Sequence, residues 1–469
     1  MPVGDLAPEI ALILTAVLVV LFAAFAPRRW QRLAATIALG GIAASAWLLL
    51  RQVGMAQLTF SGVWALDAAS LWARLLILAT AAVCALLAPR WFETDPRGAE
   101  WHAILLFSTL GAMAMAAAAD VMQLVMAVLL SSVTGYVLAA YHRGWGISVE
   151  AGMKYFLLGA LANALLVIGA VLLYGMTGAT GYAEMAPGLA APSPLLHAGL
   201  ALVVVGLAFK LGAAPAHAWV PDVAEGAPVP SAAFLTVAPK IGAAIALARL
   251  AQMIPPEALA IRPLVAALAV ASMTLGNLAA LGQDDLRRLI GWSSVSQSGY
   301  ALMAVAVLGL SPAALPALVI FLASYAAGNV AAFAVVAHLR GRTAMADLDG
   351  MARARPGAAL VLVLAFLSLT GIPPVLGFVG KLLLFEATID GGYAWLAAVA
   401  AANTVLSLFY YARVLGRAYF GEPAAPMAVL GPWSATALWI AAAAILLPAA
   451  LAQLLLAEIE GATLLPFPT

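Results

Sequence analysis

The chain has 469 residues, of which 65% are hydrophobic and only 9% are Asp, Glu, Lys or Arg, and its formal net charge is +1. So little charge excludes a soluble enzyme, a nucleic-acid binder and a disordered hub, since none of these stays in solution or attracts phosphate with such a composition. An all-α polytopic membrane protein remains. The single cysteine, Cys84, lies in an apolar run and offers neither an internal disulfide nor a thiolate metal site.

The first apolar stretch, Ile10 to Ala26, is followed by Arg28, Arg29 and Arg32 and preceded by no basic residue, so it reads as a retained span and not a signal peptide. At about 20 apolar residues per crossing, the chain offers roughly fourteen spans, near 9–26, 32–50, 65–88, 102–119, 121–141, 152–176, 196–217, 229–252, 262–282, 288–309, 313–338, 357–386, 393–415 and 433–457. Arginine placement checks that count. One set of alternate connections carries Arg28, Arg29, Arg32, Arg90, Arg97, Arg143, Arg287, Arg288, Arg340, Arg342, Arg353, Arg355, Arg413 and Arg417; the other carries only Arg51, Arg262 and, at a helix end, Arg249. Such asymmetry predicts a multi-pass membrane protein with both termini on the non-cytoplasmic face. Only Arg74 falls inside a span. The longest connection, about 177–195, is a Gly/Ala/Pro stretch too short for a domain, so residues 1–469 form a single membrane domain.

The chain has four lysines, Lys154, Lys210, Lys240 and Lys381, and all four fall within predicted spans. A lysine at mid-membrane costs about 2.5 to 3.5 kcal/mol on insertion scales, and lysine, unlike arginine, can load and release a proton in an accessible pH range. Lys210 and Lys240 lie well inside their spans and favour a proton-handling role over snorkelling to the surface. Lys154, four residues after Glu150, fits an interfacial ion pair as well as a relay. Gly212 and Pro215 follow Lys210, Pro239 precedes Lys240, and Gly371, Pro373, Pro374 and Gly377 precede Lys381. These predict helix interruptions near Gly212 to Pro215 and near Gly371 to Gly377, tolerated at depth only where freed backbone is buried in protein or faces water.

Weaker signals surround these. His217 is a proton acceptor or an interfacial histidine; Asp222 and Glu225 read as solvated loop acids. Ser293, Ser294, Ser296, Gln297 and Tyr300 on the tenth span line a hydrated path or bond between helices, the second use being the commoner. Met113, Met115, Met122 and Met126 read as packing. No phosphate loop, Cys/His cluster or nucleophile–base motif points to a bound cofactor or metal.

The runs Glu150-Ala-Gly-Met-Lys154-Tyr-Phe, Phe209-Lys210 to Pro228, Ala238-Pro239-Lys240, Arg287-Arg288-Leu-Ile-Gly-Trp-Ser293-Ser294 and Leu369-Thr-Gly371-Ile-Pro373-Pro374 to Lys381 resemble the antiporter-like membrane subunits of proton-pumping NADH:quinone oxidoreductase, respiratory complex I. With the start Leu6-Ala-Pro8-Glu9-Ile10 they look most like its N subunit. The resemblance covers nearly the whole chain. It implies N-terminal helices over 1–101, two inverted five-helix repeats over 102–252 and 262–415, a C-terminal helix over 433–457, and two broken helices carrying Lys210 and Lys381, with Lys240 between them on a hydrated axis. It also implies a bacterial inner membrane, with both termini on its periplasmic side, and membrane and peripheral subunits of complex I, the bilayer and protons as partners, and no nucleic acid. Flavin, iron–sulfur clusters and quinone are expected in partner subunits, and no cofactor in this chain.

One departure stands out. The family places a glutamate on the fifth helix opposite the seventh-helix lysine, and this chain has Leu129 there, with no Asp or Glu from Val121 to Tyr141. Gln297 stands where many relatives carry histidine. Three functions follow: a proton-translocating subunit of a redox-driven pump, using Lys210, Lys240, Lys381, Lys154 and His217; a non-pumping structural subunit; or a subunit of a multisubunit cation/proton antiporter or membrane-bound hydrogenase. The carboxylate-poor interior argues against a dedicated sodium cage. No carboxylate of the fifth helix is expected within ion-pair distance of Lys210; Asp120 is too far along the helix and Ser132 supplies no charge.

Overall fold

The structure is a computed structural model that describes residues 2–189, 193–255, 261–422, 427, 429, 431–459 and 461–466. Residues 190–192 of the expected Gly/Ala/Pro connection lie outside the described residues. Helices dominate: α1 (Ala7–Phe25), α2 (Leu33–Leu50), α3 (Ala68–Trp91), α4 (Gly98–Ala117), α5 (Val121–Ala139), α6 (Gly146–Thr177), α7 (Tyr182–Leu189), α8 (Pro194–Leu211), α9 (Trp219–Gly226) and α10 (Val229–Leu235) fill the first half. The second half holds α11 (Ala238–Gln252), α12 (Ile261–Leu281), α13 (Leu286–Ala306), α14 (Ala314–His338), α15 (Met351–Ala354), α16 (Pro356–Thr370), α17 (Leu376–Asp390), α18 (Ala394–Phe420), α19 (Pro432–Ala450) and α20 (Ala452–Ile459). A small hairpin, β1 (Gln57–Thr59) and β2 (Trp64–Leu66), joins α2 to α3.

Polar side chains start the helices where the sequence leaves the membrane. Asp67 accepts from the Ser70 amide at 2.7 Å to begin α3, Asp120 from Met122 and Gln123 to begin α5, and Asp285 from Arg288 to begin α13. Each satisfies amides that have no partner in the first turn.

Among the described residues twelve helices, counting α10 and α11 as one, are long and apolar enough to cross a membrane. The polar helix α13, and α16 taken with α17, are compatible with two further crossings and so with the expectation of fourteen. Contacts between connections respect that count. On one face Asp5 holds Thr59, Trp64 bridges Ala118, Asp120 bridges Gly181, and Arg249 holds both Asp67 and Leu465. On the other Arg32 pairs with Glu93, Asp285 bridges Ala344, and Arg417 pairs with Asp349. The described ends of the chain therefore share one face.

The connection after α6 contains a short helix, α7, whose Tyr182, Met185 and Leu189 are buried, where the sequence suggested only a Gly/Ala/Pro loop. Met113 and Met115 pack inside as expected, but Met122 and Met126 point outward, 41% and 64% exposed. They sit on the outer face of α5, so their apolar surface meets lipid or a partner and not the core. Helices α10, α11, α13 and α14 are buried on nearly every side, whereas α1, α2 and α6 keep an apolar outer face. The core of the bundle is thus the region that carries Lys240 and the polar tenth span.

Candidate functional site

Two crossings are interrupted at the places the Gly/Pro clusters mark. Helix α8 stops at Leu211, Gly212 takes the left-handed conformation (φ +65°), and the chain becomes helical again only at Trp219. Helix α16 stops at Thr370, Gly371 is left-handed (φ +89°), and α17 starts at Leu376. Glycine is required twice over at each stop. It adopts a φ that costs other residues, and it leaves room for a lysine: a Cβ at Gly212 would stand 3.1 Å from Lys240 Nζ, and one at Gly371 would stand 2.8 Å from Lys381 Cδ. A third, smaller interruption separates α10 from α11 at Thr236 and Val237, just before Pro239 and Lys240.

A broken helix leaves carbonyls without amide partners, and here side chains meet them. Ser298 Oγ donates to the Leu211 carbonyl at 2.5 Å, and Trp219 Nε1 adds a bond at 2.9 Å to the Phe209 carbonyl, which also accepts from the Gly212 amide. At the second break Gln297 Nε2 donates to the Leu369 carbonyl at 2.8 Å and Lys381 Nζ to that of Thr370 at 3.0 Å. Consecutive residues of α13, Gln297 and Ser298, therefore reach the two breaks.

Lys240 completes the line. Its Nζ donates to the Ser294 carbonyl at 2.9 Å, to Ser294 Oγ at 2.6 Å and to Ser298 Oγ at 3.0 Å. Ser294 meets Tyr325 at 2.7 Å, Tyr325 donates to the Thr236 carbonyl at 2.5 Å, and Asn329 donates to Thr236 Oγ1 at 2.9 Å. All of these partners on α13 fall between residues 294 and 298 of a helix running from Leu286 to Ala306, hence near its midpoint. Lys210, Lys240 and Lys381 are buried to 0%, 2% and 3% exposure, so none of them faces lipid.

Each of the three also lies over a tyrosine ring: Lys210 over Tyr155 at 5.9 Å, Lys240 over Tyr325 at 5.8 Å and Lys381 over Tyr300 at 4.1 Å from the ring centroid. An aromatic face attracts a cation without fixing it as a carboxylate would. Tyr300 is held in turn by Thr404 at 2.8 Å. Lys210 differs from the other two: its Nζ has no hydrogen-bond partner and no carboxylate within 4.0 Å among the described residues. On α5, Ser132 bonds Asn163 at 3.4 Å, and Asn163 in turn bonds Tyr136. Among the described residues no acid from another helix pairs with Lys210 in place of the one that Leu129 replaces.

Lys154 stands apart. It is 45% exposed in its side chain and pairs with Glu150 at 2.7 Å and Asp222 at 3.0 Å. Asp222 and Glu225 both pair with Arg288 at 2.7 Å. Those acids are not solvated loop residues, since they lie on α9, the second half of the broken crossing, and brace it against α6 and α13 around a cavity of about 160 Å³. Lys154 therefore belongs to this surface network and not to the buried lysines. His217 lies in the first break, half-buried, its ring 5.5 Å from that of Trp292, and its Nδ1 has no partner among the described residues.

Sequence reasoning overlooked Tyr325, Asn329, Thr236, Ser298, Tyr410 and Tyr411. The available signal was polar groups one helical turn apart inside apolar runs, Ser294 with Ser298 and Tyr325 with Asn329. Asn277 and Asn403 give the same hint: Asn277 donates to Asn403 Oδ1 at 3.0 Å and accepts from Tyr410 at 3.0 Å.

Residues 118–407 match the family described as NADH:quinone oxidoreductase/Mrp antiporter, TM. The NADH-quinone oxidoreductase subunit N of Mycobacterium sp. (strain JLS) is 45% identical over 376 residues, 80% of each chain. Subunit N 1 of Streptomyces griseus subsp. griseus is 44% identical over 420 residues, 88% of each. A chain of respiratory complex I from Thermus thermophilus superposes with a TM-score of 0.81 at 31% identity, covering 96% of this chain and 98% of that one. Such identity over most of the length, on a fold whose broken helices carry the buried lysines, means that the chain belongs to the family of NADH:quinone oxidoreductase and Mrp antiporter membrane subunits, among those named subunit N.

Proposed function

We propose that this chain is the N-type membrane subunit of a proton-translocating NADH:quinone oxidoreductase and carries protons across a bacterial inner membrane through Lys210, Lys240 and Lys381. The observation that carries the reading is the α13 line: Lys240 on Ser294 and Ser298, Ser298 on the first break, Gln297 on the second, and Lys381 on the next carbonyl. A proton-handling lysine needs acceptors near it that do not trap the charge, and hydroxyls, carbonyls and tyrosine faces meet that need. Redox chemistry belongs to partner subunits holding flavin, iron–sulfur clusters and quinone; this chain contributes the membrane path. In this reading 102–252 and 262–415 act as paired repeats, each with one broken helix, and both termini face the periplasm.

One observation favours the alternative of a non-pumping structural subunit: Lys210 Nζ has no partner among the described residues, and the fifth helix carries Leu129 where the family resemblance implies an acid. We rank it second, since a structural subunit gains nothing from burying three lysines at this cost. The parent complex is tested by purifying the tagged chain from native membranes. NADH:quinone reductase activity is expected in the same assembly; copurification with a hydrogenase or a cation/proton antiporter and no such activity would overturn the assignment.

A further inference from the structure

The geometry points to a binding site for the phosphate of an anionic glycerophospholipid, set between the α1–α2 and α3–α4 connections, away from the lysines. A cavity of about 600 Å³ opens there, lined by Arg28, Arg29, Arg32, Glu93, Asp95 and His102 among others. Its acids are already engaged: Glu93 pairs with Arg32 at 2.9 Å and Arg90 at 2.8 Å, and Asp95 pairs with Arg97 at 3.2 Å. Arg28 and Arg29 are exposed and have no carboxylate within 4.0 Å among the described residues. Two adjacent guanidinium forks left without an anion fit the several oxygens of a phosphate.

A lipid, and not free phosphate, is the occupant the surroundings fit. Phe25, Trp30 and Leu33 flank the arginines and are 83%, 50% and 42% exposed. Apolar and aromatic side chains at the level of an arginine cluster mark the headgroup zone, where basic pockets between helix ends hold anionic lipid. Free phosphate has no use for such flanks. The buried polar member of the lining is His102, 4% exposed. Its Nδ1 lies 3.1 Å from the Gly98 carbonyl and its Nε2 is sealed from the cavity, so His102 closes the floor of the site and offers it no polar atom. The surplus arginines favour an anionic headgroup and repel the ammonium of a zwitterionic lipid.

The test compares the wild-type chain with an Arg28→Gln/Arg29→Gln variant, each purified from native membranes with its partner subunits and washed exhaustively in detergent. Retained phospholipid is counted by mass spectrometry. The variant is expected to retain fewer phosphatidylglycerol or cardiolipin molecules per complex, with phosphatidylethanolamine unchanged. Phosphatidylglycerol added back is expected to bind the wild type, more weakly as ionic strength rises, and millimolar inorganic phosphate is expected not to displace it. Equal anionic lipid in both proteins would overturn the proposal, as would displacement by inorganic phosphate, which would mark a free-phosphate site. Should the double variant fail to assemble, the salt dependence in the wild type and retention in an Arg28→Lys/Arg29→Lys protein decide the same question: lipid held regardless of salt contradicts the site.

Discussion

The three buried lysines have unequal surroundings, and their substitutions should differ accordingly. Lys381 and Lys240 each donate to at least one carbonyl, while Lys210 meets only an aromatic face. Leu129→Glu supplies the carboxylate that α5 lacks. It is expected to shift the pH profile of proton transfer in the assembled complex, and the shift should vanish when Lys210→Ala is added. A profile unchanged by Leu129→Glu would mean that the glutamate does not reach Lys210. Lys154→Ala should behave differently. Half-exposed ion pairs contribute about 0–1 kcal/mol, so proton transfer and assembly are expected to stay near wild type; a loss comparable to that of a buried lysine would return Lys154 to the relay.

At the scale of elements, the broken helices are held open by α13. Ser298 links the Leu211 carbonyl to Lys240, so Ser298→Ala strips one break and one lysine of a partner together. Leaving a buried polar group unsatisfied costs about 1–3 kcal/mol, and a lower melting temperature is expected along with slower proton transfer. Gly212→Ala imposes a left-handed conformation that costs about 1–2 kcal/mol and places a methyl group 2.5 Å from Val220 Cγ2 and 3.1 Å from Lys240 Nζ. Its effect on proton transfer should exceed its effect on assembly. The breaks were legible because glycine and proline act locally: Gly212 and Gly371 fix where α8 and α16 stop whatever surrounds them. The lysines were legible because their burial is costly. The tyrosine faces and the reach of Gln297 and Ser298 to opposite breaks were not, since those contacts join residues far apart in sequence. Asp222 misled for the same reason, as its neighbours Lys154 and Arg288 lie on other helices.

Across the whole molecule, one buried ion pair ties the bundle together at the face where the described chain ends lie. Asp67 caps α3, pairs with Arg249 of α11 at 2.5 Å and accepts from the Leu465 amide at 2.8 Å. Burial works against the charged carboxyl, yet Arg249 and the amides of Leu465 and Ser70 outweigh it and hold the Asp67 pKa below the usual carboxylate range. A lowered folded-state pKa means that this stabilisation is complete above the unfolded pKa and is lost as pH falls through the folded one. Arg249→Ala leaves a buried acid unpaired, which costs about 3–5 kcal/mol. Thermal unfolding should show a lower midpoint at neutral pH and a smaller gap to wild type in acid; a gap independent of pH would contradict the pair's role.

The central claim is that protons pass through Lys240, and the most direct measurement is the proton-to-electron ratio of the assembled complex in proteoliposomes. Lys240→Ala removes the amine that bonds both Ser294 and Ser298 while leaving the surrounding shape nearly intact. Assembly and inhibitor-sensitive NADH:quinone activity are expected to be detectable, with fewer protons moved per electron than in wild type. A fully assembled variant that moves as many protons per electron as the wild type would contradict the relay.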